Sequence, residues 1–235
     1  MNYGLILAAG SGRRFGGEKP KQFQKLCGEK ICSYSIREFE KSARVEGYGI
    51  LTTPDQKDEL LAILADFDKN KCEFIANGGK TRRESVFIGL NELKEFSPRS
   101  VLVHDAARPA INQSLLERIY QRFKADRSDK IVGVIPVRPV RDTIKKVDKK
   151  GYVLETVNRE QLRRVQTPQL FDFEKLYKAH QSCPADLPVT DDAMLLEMCK
   201  EPVAVVDGLE ENQKITYPAD RHLVERFIKR RKENV

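Results

Sequence analysis

The segment Leu7-Ala8-Ala9-Gly10-Ser11-Gly12-Arg13-Arg14-Phe15-Gly16-Gly17 carries four glycines and two adjacent arginines directly behind an apolar run. Glycine permits positive φ and lets backbone amides face phosphate oxygens, while arginine supplies a fixed fork of cationic donors. The pattern reads as a triphosphate cradle, with a plain structural turn as the alternative for the loop taken alone. It is not a Walker loop, which needs G-x-x-x-x-G-K-[ST]. Nor is it a dinucleotide fingerprint, because the third glycine of G-x-G-x-x-G is missing in register. Lys19-Pro20-Lys21-Gln22 follows at once. A proline-stiffened lysine pair there brings an ammonium to the same phosphates, unless it forms a solvated turn.

Further along, Asp105 stands just beyond the apolar run 100–103, either as a site carboxylate or as a helix N-cap. His104 beside it reads as a packed, hydrogen-bonded ring. Thr190-Asp191-Asp192 precedes an apolar helical pattern and is most simply a cap with first-turn carboxylates on the helix dipole, not a metal pair. The basic stretch 229–232 reads as a solvated helix end.

The elements that must position these residues follow from periodicity. Short apolar runs at 4–8, 48–51, 101–103, 131–136 and 203–206 read as buried strands. Helical patterns cover 32–40, 56–66, 82–94, 113–125, 173–181, 191–200 and 220–232, the last behind Pro218. Strands alternating with helices predict an α/β fold, Rossmann-like, with a mostly parallel twisted sheet flanked by helices. Ligands of such sheets bind beyond the carboxyl ends of the strands, where loops run into helices. One stretch, about 137–170, breaks the alternation with two β-rich segments around Lys149-Lys150-Gly151 and reads as a projecting β-arm. Projecting strands recruit another chain through their edges, so a homodimer formed through the arm is expected. With no repeat or linker evident, 1–235 reads as a single domain carrying this insertion.

Composition narrows the class. A chain of 235 residues, 40% hydrophobic and 33% charged, is too apolar for disorder and too interrupted by charge for a membrane span. Its opening apolar run is too short for a signal peptide, and its charges come after that run. Five cysteines without a C-x-x-C pair argue against a disulfide framework or structural zinc, and a reducing cytoplasm is the expected home. The net charge of +7 calls for an anionic partner. A nucleic-acid-binding module is one candidate, but the aromatics are scattered and there is no tryptophan to build a stacking platform.

LAAGSGRR followed by PKQ resembles the sugar-phosphate nucleotidyltransferases. The ordered set Asn77-Gly78-Gly79 with Arg82 and Ser85-Val86, then Val103 to Pro109, Asp142-Thr143, Gln166 to Gln169, Thr190 to Ala193 and Asn212 to Thr216 is similar to the 2-C-methyl-D-erythritol 4-phosphate cytidylyltransferases. That resemblance implies transfer of the cytidylyl group of CTP to methylerythritol phosphate, giving a diphosphocytidyl product and pyrophosphate for non-mevalonate isoprenoid precursor synthesis. The attacking phosphate is already an anion, so no general base is needed; alignment and charge neutralisation are. By motif position the resemblance makes Arg14, Lys21 and Lys214 the catalytic cations and Asp105 the ligand of Mg2+. It implies a CTP site formed by Ala8, Ala9, Gly10, Gly12, Gly79, Ser85 and Asp105. Ser85 alternatively caps the helix that follows. It further implies a sugar-phosphate site formed by Arg108, Thr143, Arg159 and Thr167, with Thr143, Arg159 and Thr167 reaching from the arm into the neighbour's cleft. Arg108 alternatively forms a structural ion pair. Arg138, Arg141, Arg163 and Arg164 read as solvated. The sequence departs from the family pattern at Phe15, Lys80 and Gln213. The nearest rival is ribitol 5-phosphate cytidylyltransferase, disfavoured because Ala110 follows VHDAARP. Neither a membrane nor a nucleic acid is expected as a partner.

Overall fold

The computed structural model describes residues 1–10, 12, 15, 20–67, 71–125, 131–184 and 187–233. In chain order the elements begin with β1 (Asn2–Leu7), β2 (Lys25–Leu26), β3 (Glu29–Lys30), α1 (Ile31–Lys41), β4 (Gly47–Thr52) and α2 (Lys57–Leu64). They continue with β5 (Cys72–Asn77), α3 (Arg82–Leu93), β6 (Ser100–Asp105), α4 (Gln113–Ala125) and β7 (Gly133–Pro139). Next come β8 (Ile144–Val147), β9 (Val153–Val157), β10 (Arg163–Val165) and β11 (Gln169–Asp172). The chain closes with α5 (Phe173–Ser182), α6 (Asp192–Met198), β12 (Val203–Asp207) and α7 (Pro218–Glu233).

An eight-stranded sheet carries the fold. β1 pairs in parallel with β4 on one side and β6 on the other, β5 extends the sheet beyond β4, and β12 runs parallel to β7. β10 and β11 run antiparallel to β7, one after the other along its edge, and β11 joins that half of the sheet to β6. Strands β4 and β6 are buried along their whole length, as central parallel strands covered on both faces must be. Neighbouring residues on a strand serve opposite cores. Ile6, Ile50 and Leu102 pack with Phe39, Leu60 and Leu115 of α1, α2 and α4. Leu5, Leu51 and Val103 pack with Val86, Leu176 and Leu195 of α3, α5 and α6. A third cluster joins α7, through Val224 and Ile228, to Phe15, Leu26, Ile31 and Ile215.

The α/β architecture and all seven helices agree with the sequence reading, but several boundaries move. α6 is shorter than 191–200, and α7 begins at Pro218. β5 is a strand the apolar runs did not reveal: it is partly exposed along its length and includes Glu73, so it lacks the uninterrupted apolar signature of its neighbours. Of the stretch 137–170, only β8 and β9 form the free hairpin, whereas β10 and β11 return to the main sheet. The hairpin turn is held by Asp148, whose Oδ1 accepts the N–H groups of Lys150 and Tyr152 at 2.9 Å each. Val147, Tyr152, Val153 and Leu154 are exposed on the hairpin. Two of the arginines read as solvated are paired: Arg138 and Arg141 flank the Glu210 carboxylate at 2.9 and 3.4 Å. In the basic tail Lys229 and Arg230 are exposed, whereas Arg231 is anchored, donating to the carbonyls of Ala110 and Ile111.

Candidate active site

Leu7 is in register with Leu51 of β4 and Asp105 of β6, so the carboxyl ends of the central strands finish together. The loops leaving them enclose a cavity of about 640 Å³ bordered by Ala9, Gly10, Gly12, Lys21, Gly79, Arg82, Asp105 and Lys214.

One wall is backbone. Ala8 N–H donates to Leu51 O and Gly78 N–H to Thr52 O, fixing both loops to the sheet. Gln22, 2% exposed, donates its amide to the carbonyls of both Ala8 and Gly10, the latter at 2.9 Å. Lys21 opens a 3₁₀ turn behind Pro20 and lines the cavity. Gly12 (φ +64) adopts a left-handed conformation, and a Cβ there would stand 3.3 Å from Lys21 N, so glycine lets the loop close over this turn. Across the cleft, Gly78 is pressed onto Ala9; a Cβ on Gly78 would fall 2.2 Å from the Cβ of Ala9. Ser85 Oγ accepts the Gly79 N–H at 3.0 Å and donates to Thr81 O at 2.9 Å. The helix cap is Thr81, whose hydroxyl accepts Glu84 N–H, while the Glu84 carboxylate accepts the N–H of Lys80, the residue before the cap. Ser85 therefore shapes the Gly78–Gly79 loop and does not cap α3.

The other wall is charged. Asp105, buried, has Lys214 Nζ at 2.6 Å from Oδ2 and Arg82 Nε at 3.1 Å from Oδ1. Burial pushes this carboxyl up, but the charges of Arg82, Lys214 and Arg108 outweigh it and hold the group well below the usual carboxylate range. Asp105 is not a helix cap: α4 starts eight positions later, with Asn112 Oδ1 accepting Leu115 N–H. Arg82 is steadied from behind by Asp192, whose Oδ2 lies 2.6 Å from Nη1. Burial opposes its charge, but the two carboxylates raise its pKa.

A second cavity of about 510 Å³ adjoins the first and shares Arg82, Asp105 and Lys214 with it. Arg108 and Thr167 line this cavity. Arg108 donates to Asn212 O at 2.9 Å and Val165 O at 3.2 Å, so its guanidinium ties the end of β10 to the loop after β12 as well as facing the cavity. Thr167 corrects the arm reading. It is buried in its own chain, its Oγ1 accepting Asp105 N–H at 3.1 Å and bonding His104 Nδ1 at 3.0 Å. It supports Asp105 from beneath and does not reach outward, because β10 and β11 rejoin the sheet on either side of it. His104 also meets Ser35 through Nε2 at 2.9 Å, and burial lowers its pKa to about 3, so it is a neutral packed ring as read.

Thr143 and Arg159 border neither cavity. Arg159 donates to Arg141 O at the base of the hairpin. Arg14 lies outside the described residues, as does Arg13. Of the departures, Phe15 is packed in the α7 cluster, Gln213 donates to Glu210 O, and Lys80 borders the nucleotide-sized cavity. The residue roles that sequence reading missed are those of Gln22, Arg82 and Asp192. Arg82 was visible only as a motif member, and its partners lie 23 and 110 positions away.

A family profile described as IspD, 2-C-methyl-D-erythritol 4-phosphate cytidylyltransferase, matches residues 3–230. The chain belongs to this family. It is 40% identical over 226 residues to the 2-C-methyl-D-erythritol 4-phosphate cytidylyltransferase of Prochlorococcus marinus (strain MIT 9515), covering 96% of this chain and 98% of the relative. It is 38% identical over 216 residues to the bifunctional enzyme IspD/IspF of Paramagnetospirillum magneticum, covering 92% of this chain but only 54% of that protein's length. The crystal structure of 4-diphosphocytidyl-2C-methyl-D-erythritol synthase from Anaerococcus prevotii superposes with a TM-score of 0.83 at 26% identity, over 97% of this chain and 96% of that one. As a member of the methylerythritol phosphate cytidylyltransferase family the chain is a cytidylyltransferase; the family match does not favour the ribitol phosphate alternative. Among the described residues, no helix is long and apolar enough to cross a membrane.

Proposed function

We propose that the two adjoining cavities hold CTP and 2-C-methyl-D-erythritol 4-phosphate, and that the chain joins them to give 4-diphosphocytidyl-2-C-methyl-D-erythritol and pyrophosphate. The observation that carries the assignment is the partition between the cavities, where Asp105 sits between Lys214 and Arg82. In this reading the cytosine lies against the Ala8–Gly10 and Gly78–Gly79 backbones, whose small side chains admit close approach. The triphosphate runs toward Gly12 and Lys21. An oxygen of the sugar phosphate attacks the α-phosphorus in line, the bond from that phosphorus to the bridging oxygen breaks, and the electron pair leaves with pyrophosphate. Lys21, Arg14 and Lys214 neutralise the charge that grows on the α-phosphate and the leaving group, which stabilises the transition state more than the ground state.

Asp105 fits a magnesium ion under one condition. Among the described residues no group of three or more His, Cys, Asp or Glu side chains could hold a metal, and Asp105 is the carboxylate that lines the first cavity. Mg2+ is commonly held by one or two carboxylates together with substrate phosphates and water, which suits an ion delivered with the nucleotide. When bound, it would add charge neutralisation at the phosphates.

Exposed Val147, Tyr152, Val153 and Leu154 support a homodimer formed through the β8–β9 hairpin. In it Thr143 and Arg159 would complete the partner's sugar-phosphate site, with Arg108 contributing from the chain's own side. Five free cysteines support a reducing, cytoplasmic setting. The test is pyrophosphate release from CTP with methylerythritol phosphate or ribitol 5-phosphate, with and without Mg2+. Strong preference for the first with Mg2+ is expected; preference for ribitol 5-phosphate, or full turnover in a chelator, overturns the corresponding assignment.

A further inference from the structure

Asp192 opens α6 with its carboxylate 1% exposed, yet it does no capping. That task belongs to Asp191, which accepts Met194 N–H through Oδ1 and Gln169 Nε2 through Oδ2. Both Asp192 oxygens are directed elsewhere: Oδ2 to Arg82 Nη1 at 2.6 Å and Oδ1 to His180 Nε2 at 3.3 Å. His180 is fixed in turn by stacking on Phe87, with ring centroids 5.7 Å apart and planes 5° from parallel. Arg82 passes the constraint on, because its Nε holds Asp105 Oδ1 at 3.1 Å. Asp192 itself borders neither cavity, whereas Arg82 and Asp105 border both.

We infer that Asp192, oriented by His180, is a positioning residue that fixes the Arg82 guanidinium and, through it, the Asp105 carboxylate at the partition between the two substrate cavities. The inference rests on the function proposed above. A buried carboxylate is an expensive way to hold two helices together, since an apolar residue of like volume is often as stabilising. A carboxylate is well suited to aligning a planar guanidinium, which otherwise samples many rotamers. Arg82 is thus held at Nε and at Nη1 before any substrate arrives, and Asp105 keeps one orientation.

The test is a double-mutant cycle on kcat/KM for CTP using Asp192→Asn, Arg82→Gln and the double variant. If Asp192 acts through Arg82, the single changes lower kcat/KM by roughly 10-fold and 100-fold, and the double variant falls no further than Arg82→Gln alone. Losses that multiply, or wild-type kinetics in Asp192→Asn, overturn the inference. A merely structural role would lower the melting temperature and multiply with Arg82→Gln. Should Asp192→Asn fail to fold, His180→Gln enters the same cycle with the same criteria. Calorimetric CTP affinity gives a parallel cycle that needs no second substrate. Wild-type protein inactive toward methylerythritol phosphate would therefore sink the proposed function, while the binding cycle would still decide the positioning role.

Discussion

Lys214 reaches from the loop behind β12 to place its Nζ 2.6 Å from Asp105 Oδ2, on the side of the carboxylate opposite Arg82. Before nucleotide arrives, both oxygens of the proposed metal ligand are engaged by cations. A divalent ion must then displace one of them or arrive already chelated by phosphate.

Lys214→Ala is therefore expected to have two opposite effects. Turnover should fall on the order of 100-fold or more as a cation is lost from the transition state. Mn2+ binding to the nucleotide-free protein, followed by calorimetry, should tighten because one carboxylate oxygen is released. Unchanged ion affinity with intact folding would remove Asp105 as the ligand.

The contact between Gly78 and Ala9 makes a steric prediction. Gly78→Ala places a Cβ 2.2 Å from the Ala9 Cβ and must part the two loops proposed to face the base. Overpacking of this kind costs about 1–3 kcal/mol, and the KM for CTP should rise by roughly 10-fold or more. Ala9→Gly in the same chain removes the clash and should restore most of the affinity. Failure of that rescue would show that the two loops do not meet as described.

Stability should depend on His104. Burial lowers its folded pKa to about 3 from an ordinary 6.5. Between those values the unfolded chain takes up a proton that the folded chain refuses, so this contribution is intact above pH 6.5 and is lost as the pH falls. The linkage slope is about 1.4 kcal/mol per pH unit for one such group. Urea unfolding at pH 7.5 and 5.0 should show a larger loss in wild type than in His104→Gln. Asp105 works in the same direction only at lower pH, since its depressed pKa withdraws stability as the pH drops below the ordinary carboxylate value. Parallel slopes in the two proteins would contradict a buried neutral His104.

Arg159 and Lys21 test the arm. Lys21→Ala should be nearly inactive, and Arg159→Ala should raise the KM for the sugar phosphate. If the hairpin serves the neighbouring cleft, mixed dimers of the two variants contain one cleft with both residues intact and recover part of the wild-type rate. Verified mixed dimers with no recovery would count against a shared site, and Leu154→Glu leaving the mass in solution unchanged would count against the hairpin as the contact.

Much of this was legible in the chain because local signals were strong. β1, β4 and β6 are central strands whose burial on both faces leaves uninterrupted apolar runs, and the helices advertise their period. Gly10, Gly12 and Lys21 follow β1 closely, so their place beside the cavity was legible once β1 was recognised. β5 escaped because a partly exposed strand containing Glu73 gives a mixed pattern. Thr167 was misplaced because nothing nearby in sequence tells that 163–172 pairs back onto β7 and β6. The grip of Asp192 on Arg82 spans 110 positions, and no local pattern encodes such a partner.

Gln22 ties the Ala8 and Gly10 carbonyls to the turn that carries Lys21. In the proposed function, sensing the base and delivering the ammonium would thereby be tasks of one stiff unit. An ill-fitting pyrimidine or purine that nudged the wall at Ala9 and Gly10 would drag the adjoining cation off its mark. On that proposal fidelity is enforced at the chemical step: a wrong nucleoside triphosphate should be penalised in rate even when its concentration is raised until it fills the cleft.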